Sequence, residues 1–349
     1  MSQAQVGGTD GKSRPQRRFL ALFFGFVLAA LLLGLFFWRT DWEGFRSAFL
    51  KARVGYLAAA FSVVFMSFWL RAVRWGYLLV PLGRTALWSR LRTFMEGYTV
   101  TNLLPGRVGE VVRPWLLSRD EPHVPFSSAL ATVVIERILD MLTVTAFLGV
   151  YLALYAKGVE DEAFRYTLRT GAIAALASVV AGLGVLGYAF FRREAAARAM
   201  EKLFRFFPER VRTRLDAPLH RFLDGLAVFG RRKLFAPLLF GSAAMWLVIA
   251  LYTWLALLSV GVNTGFSSML LLIPVSAIGI MLPTPGGVGG YHAAAQVVLV
   301  DVCGVASGEA AAGILLAHGI SYLPLSVWGV ILLSKRGMGW RVLSPEVEA

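Results

Sequence analysis

The chain has 349 residues, 57% hydrophobic and only 16% charged, with a mean hydropathy of +0.64 and a formal net charge of +14. A soluble domain averages about 45–50% apolar and 25% charged, and the longest polar stretch here is the basic segment 192–236, so a soluble globular protein is excluded in favour of a polytopic membrane protein. The single cysteine, Cys303, rules out an internal disulfide framework and a cysteine-based metal site.

Crossing a hydrocarbon core of about 30 Å takes roughly 20 apolar helical residues. A basic tail carrying Lys12, Arg14, Arg17 and Arg18 precedes an apolar run over 19–38. That run is long for a signal peptide and Phe36-Phe37-Trp38-Arg39 offers no small-residue cleavage site. A retained first span within a unit 1–56 is expected. The next unit, 57–155, holds spans over 57–79 and 128–154 and, between them, an apolar stretch 93–118 broken at Asn102, Pro105, Gly106 and Gly109. A linking span at 170–191, within 156–191, leads to 192–236. Leu203, Phe206, Phe207, Leu215, Leu219, Phe222, Leu226 and Phe229 recur there at helical spacing among twelve Lys/Arg, the pattern of amphipathic helices that lie on anionic lipid or bind a partner. The unit 237–333 holds spans over 237–260 and 310–333. Between them lies the stretch 268–303, broken at Pro283, Pro285, Gly286, Gly287 and Gly289. A short tail, 334–349, closes the chain.

Proline removes a backbone donor and glycine weakens a helix, so each broken stretch reads as two half-helices meeting in a turn. The architecture expected is an all-α membrane bundle of about six full spans plus two re-entrant hairpins. With the N-terminus in the cytoplasm, the cytoplasmic pieces carry 25 Lys/Arg and the outer pieces 7. This positive-inside bias places both termini in the cytoplasm of a bacterium, with the protein in its inner membrane. The net charge reads as topology and lipid contact, with no nucleic-acid module around it.

Pro105-Gly106-Arg107-Val108-Gly109 and Pro285-Gly286-Gly287-Val288-Gly289 share Pro-Gly-x-Val-Gly at an offset of 180, and the same offset relates the flanking spans. The two units would then be inverted in the bilayer, as in many transporters whose site lies where half-helices meet. Charges are kept in the first unit alone. Arg71 and Arg74 lie in one span and Glu136, Arg137 and Asp140 in another; their offset partners are Leu251, Trp254, Leu316, Ala317 and Ile320. Each buried charge costs about 2.5–3.5 kcal/mol on insertion scales and points by default to function. Thr132, Glu136 and Asp140 share a helix face suited to a polar cavity. Arg137 and Asp140 at i and i+3 can pair, with Glu136 taking Arg71, Arg74, Arg107 or Arg113. A structural ion-pair network and snorkelling of Arg71 and Arg74 to the interface are the competing readings. Guanidinium forks bind phosphate, so Arg71, Arg74, Arg107, Arg113 and Arg137 are the candidate contacts for an anionic lipid head group. Glu110, Glu136 and Asp140 would balance charge or couple protons. His292 could relay protons, or simply pack. No nucleophile elbow, P-loop or metal-ligand spacing stands out, so no catalytic residue, metal or cofactor is expected.

The stretch Asn102 to Arg113, the Glu136-Arg137-x-x-Asp140 pattern and Pro283-Thr284-Pro285-Gly286-Gly287-Val288-Gly289 resemble, in order and spacing, the lysylphosphatidylglycerol synthase transmembrane-region family, also called flippase-like (UPF0104). The likeness covers about 57–333. It implies a lipid-handling membrane protein that translocates phospholipid between leaflets. The soluble aminoacyl-transferase domain of the family's best-understood members is expected to be absent, so the synthase activity is not carried over. Tyr291-His292 stands where the family usually has an acidic residue. The function expected is translocation of an anionic phospholipid or polyprenyl-phosphate-type lipid. The alternatives are an ion-coupled small-solute transporter or a non-transporting partner of a lipid- or glycan-modifying enzyme.

Overall fold

The computed structural model describes residues 13–155, 162–204 and 209–337. The tails 1–12 and 338–349, and the expected apolar positions Phe206 and Phe207, lie outside them, as do the side chains of Leu203 and Leu215. Thirteen α-helices make up the described residues, joined by short 3₁₀ turns and one π-helical segment, with no strand among them. They are α1 (Ser13–Trp38), α2 (Trp42–Leu50), α3 (Val54–Leu79), α4 (Leu87–Leu103), α5 (Gly109–Asp120), α6 (Phe126–Leu154) and α7 (Glu162–Phe191). There follow α8 (Arg193–Phe204), α9 (Glu209–Gly225), α10 (Phe235–Ser259), α11 (Met269–Ile280), α12 (Gly290–Gln296) and α13 (Ser307–Lys335).

Each segment expected as a span is a helix. By length and apolarity α3, α7, α10 and α13 can cross a membrane, and α1 with α2, bent by 91°, makes a fifth if the bent pair is one span. The bend follows from Asp41, whose carboxylate accepts from the backbone N–H of Glu43 and Gly44 and caps a new helix start. With 29 residues, α6 is about 43 Å long, and it carries Glu136, Arg137 and Asp140 near its middle.

The two broken stretches form helical hairpins, α4–α5 and α11–α12. Each starts earlier than the sequence suggested: at Leu87 rather than 93, and at a 3₁₀ turn from Phe266 rather than 268. Both turns adopt the same backbone. Gly106 and Gly286 are left-handed (φ 79° and 58°), and so are the next residues, Arg107 and Gly287 (φ 56° and 73°). The paths then diverge by one residue, α5 starting at Gly109 and α12 at Gly290. Glycines set the spacing of the hairpin arms. A Cβ on Gly109 would strike the carbonyl of Gly97, and one on Gly290 the carbonyl of Gly279.

The packing is reciprocal. α3 lies along α10, α4 packs on α13, α11 packs on α6, and the turns 105–107 and 285–287 touch. Across both turns runs α1, where a Cβ on Gly25 would meet Pro105 and the carbonyl of Pro283. Inside the basic stretch, Leu219, Leu223 and Leu226 are buried against the α6 side of the bundle, and Ser128 donates to the carbonyl of Arg221. Of the apolar positions expected to lie on lipid, Leu219 and Leu226 instead pack on protein.

Candidate functional site

The 3.6-residue period puts Thr132, Glu136 and Asp140 on one face of α6, and all three are buried. That face is where the arginines converge. From α3, Arg74 donates through Nη1 to Asp140 Oδ1 at 2.6 Å and to Ser242 Oγ at 2.7 Å, with its Nη2 3.2 Å from Glu136 Oε1. From α5, Arg113 donates through Nη2 to Glu136 Oε2 at 2.8 Å, its guanidinium stacked 4.3 Å from the ring centres of Trp75 and Phe94. Arg137 donates to Glu136 Oε1 at 2.6 Å and also pairs with Asp140 (2.9 Å) and Glu110 (3.5 Å). Arg107 pairs with Glu110, with Nε to Oε1 at 2.9 Å. Trp246 Nε1 donates to Asp140 Oδ1 at 3.2 Å, and Trp75 Nε1 to Thr132 Oγ1 at 2.9 Å. A carboxylate fully removed from water is tolerated only with such partners; stripping one away leaves charge uncompensated.

Arg71 differs from its neighbours. It faces Phe68 and Phe94 at about 6 Å and makes no hydrogen bond or ion pair among the described residues. It opens into a cavity of about 190 Å³ between the hairpin turns. The first unit lines it with Arg71, Arg107, Glu110, Arg113 and Arg137; the second with Ser276, Thr284, Gly286, Tyr291 and His318. Several polar atoms of this lining are buried without a partner: Arg71 Nε, Ser276 Oγ, Thr284 Oγ1 and His318 Nε2. Such orphans are rare in folded proteins and call for an explanation.

All eight charged residues singled out in the sequence are therefore in one place. Two expectations need correction. Arg74 does not snorkel to an interface; it is 1% exposed and holds both α6 carboxylates. Asn102 is not in the break but in the last turn of α4, donating to Ser326 Oγ at 2.8 Å while its carbonyl accepts from the Tyr322 hydroxyl. Pro105, Gly106, Pro283, Pro285, Gly286, Gly287 and Gly289 do lie between the half-helices, and Gly109 opens α5 with ordinary helical backbone. His292 packs on Phe36 and His318, its Nδ1 accepting from the N–H of Gly289.

A second ion cluster was missed. Arg336, at the end of α13, grips Asp120 with both Nη groups (2.7 and 2.5 Å) and reaches Glu96 at 2.6 Å, which Arg92 also meets at 3.2 Å. Glu96 is fully buried. In the sequence these four residues sit near the ends of apolar runs, where charge is ordinary, and only the α4–α13 packing brings them together.

Comparison with known proteins fits this architecture. The chain is 28% identical over 345 residues to Glycosyltransferase AglD of Haloferax volcanii, an alignment covering 90% of the chain and 54% of that relative. It is 24% identical over 337 residues to UPF0104 membrane protein PH1989 of Pyrococcus horikoshii, covering 92% and 98% respectively. The chain thus spans about half the length of the first relative and nearly all of the second. A family model described as the lysylphosphatidylglycerol synthase TM region matches residues 22–329, and the chain is a multi-pass membrane protein belonging to that family.

Proposed function

We propose that this protein is a lipid translocase that moves an anionic phospholipid or polyprenyl-phosphate-type lipid between the leaflets of a bacterial inner membrane, and that it has no catalytic role. In this reading α1, α3, α6, α7, α10 and α13 cross the bilayer, the termini are cytoplasmic, and the hairpins α4–α5 and α11–α12 enter from opposite sides. The observation that carries the proposal is the arginine-walled cavity where the two hairpin turns meet. Irregular backbone at membrane depth is tolerated only where it is buried in protein or lines a wet cavity, and Arg107, Thr284, Gly286 and Gly287 of the two breaks line this one. The matching left-handed turns and the reciprocal packing support an inverted repeat, the usual frame for alternating access. Arg71, Arg107, Arg113 and Arg137 would meet the head group while the tails stay in lipid.

The test is leaflet exchange of labelled lipids in liposomes containing the wild type, Glu136→Gln or Arg137→Ala. Exchange no faster than in protein-free liposomes, for every anionic phospholipid and polyprenyl phosphate tried, would sink the reading. Topology is checked separately with single cysteines in a Cys303→Ser background. Position 121 should label from the cytoplasmic side and position 264 from the outer side.

A second reading is a non-transporting membrane partner of a glycan-modifying enzyme. It is favoured by one observation, the name of the relative AglD, a glycosyltransferase of which this chain covers about half. It predicts full function in Glu136→Gln.

A further inference from the structure

The two ion clusters differ in their charge balance. At the base of the first hairpin, two arginines, Arg92 and Arg336, meet two carboxylates, Glu96 and Asp120. That cluster is neutral, two charges of each sign, although Glu96 Oε2 is buried without a hydrogen-bond partner. In the cavity lining and the α6 network beside it, Arg74, Arg107, Arg113 and Arg137 share three carboxylates, Glu110, Glu136 and Asp140, and Arg71 pairs with none of them. Five guanidiniums against three carboxylates leave an excess of two positive charges among the described side chains. Removing the Arg107–Glu110 pair at the rim, where both side chains are partly exposed, leaves the same excess.

Guanidinium groups do not shed their protons in proteins, so the excess cannot be relieved by titration. It sits in a cavity where uncompensated charge is expensive. Arg71 makes no ion pair among the described residues, and Ser276 and Thr284, 2% and 5% exposed, line the same space with hydroxyls that have no hydrogen-bond partner. The space itself, about 190 Å³, holds a phosphate group with a few waters. An occupant that completes the site should carry two negative charges and accept hydrogen bonds.

We propose that the cavity is a site for a phosphomonoester dianion, seated on Arg71 with Ser276 and Thr284 as further donors, in preference to a phosphodiester monoanion. This deepens the translocase reading by naming the charge of its cargo: a lipid ending in a free phosphate rather than one whose phosphate links to a further head group. Free inorganic phosphate shares the chemistry, and the experiment separates the two sources.

The test is calorimetric binding to the full chain in neutral detergent at pH 8.5, where a phosphomonoester, with a second pKa of about 6, is dianionic. The probes are short-chain phosphatidic acid, short-chain phosphatidylglycerol and inorganic phosphate. Phosphatidic acid should bind at least tenfold more tightly than phosphatidylglycerol, and the preference should shrink at pH 5.5. Arg71→Gln should abolish the preference, weakening phosphatidic acid binding at least tenfold more than phosphatidylglycerol binding; Arg71→Lys should keep the preference at lower affinity. Because Arg71 has no ion-pair partner among the described residues, its removal strands none of their buried carboxylates. Inorganic phosphate binding as tightly as phosphatidic acid, with the same Arg71 dependence, would assign the site to the free ion. Equal binding of the two lipids by the wild type, or a preference that survives Arg71→Gln, overturns the proposal. Leaflet exchange that ignores head-group charge overturns it too, yet leaves the translocase standing, whereas selective binding without exchange does the reverse.

Discussion

Replacing Glu136 by glutamine keeps the shape of the side chain and removes one charge at the centre of the network. Glu136 is fully buried and faces three guanidiniums, those of Arg137 at 2.6 Å, Arg113 at 2.8 Å and Arg74 at 3.2 Å. Its amide can keep one accepting oxygen, but its NH₂ group points donors at donors. Removing one partner from a buried ion cluster typically costs about 3–5 kcal/mol. Solvent screening gives no relief here, since neither Glu136 nor Arg74 has any exposed side-chain surface. At about 2 °C per kcal/mol for a chain of this size, Glu136→Gln should melt roughly 6–10 °C below the wild type. Cys303 is the lone thiol and is partly buried, so a thiol-reactive dye reports the melting directly. Adding Arg113→Gln to Glu136→Gln removes both ends of one pair and should recover part of the loss, giving a coupling energy well outside the additive range. A melting point within 1 °C of the wild type, or strict additivity in the double variant, would refute the view that these charges hold the bundle together.

Three further outcomes follow from the packing. Gly109→Ala and Gly290→Ala each push a methyl into the carbonyl of the opposite hairpin arm and should each cost about 1–3 kcal/mol by overpacking, read as melting shifts; silent substitutions would mean that the arms are not in backbone contact. Gly106→Ala and Gly286→Ala both place a Cβ at positive φ, at about 1–2 kcal/mol, but only at Gly286 would it also strike a side chain, the Tyr322 ring. Gly286→Ala should therefore be the more destabilising of the two, and the opposite order would contradict the turn geometry. Arg336→Gln leaves the fully buried Glu96 and the well-covered Asp120 short of a partner and should destabilise by about 3 kcal/mol, with Glu96→Gln in the same background restoring part of it.

The helices and both breaks were legible in the sequence because they rest on local rules. Apolar runs of membrane length, proline and glycine at the turns, and the Pro-Gly-x-Val-Gly echo each need only a few neighbouring residues. The charged site was legible for a different reason: Glu136, Arg137 and Asp140 are conspicuous in an apolar helix, and charges there must find partners. Which partners they find was not legible. Arg74 and Asp140 are 66 residues apart, and Ser242 is 168 from Arg74, so only the packing of α3 along both α6 and α10 settles the pairing. Asn102 was misplaced because asparagine beside Pro-Gly looks like a turn residue, whereas its amide is used across the α4–α13 contact. Leu219 and Leu226 were misread because periodicity reports an apolar face and is silent on whether lipid or protein covers it.

The head-to-head meeting of the two hairpin turns has an electrical consequence. The arms are short, about 25 Å for α4 and 18 Å for α11, and the turns that follow them, 105–107 and 285–287, touch. Should the hairpins enter from opposite faces, water follows each of them inward and the membrane voltage falls across a thin septum instead of the whole bilayer. If the protein is the translocase proposed above, a charged head group would cross nearly the full potential in one short step, worth about 2.3 kcal/mol per charge per 100 mV. Its passage should respond steeply to voltage, and a dianion should feel the field twice as strongly as a monoanion.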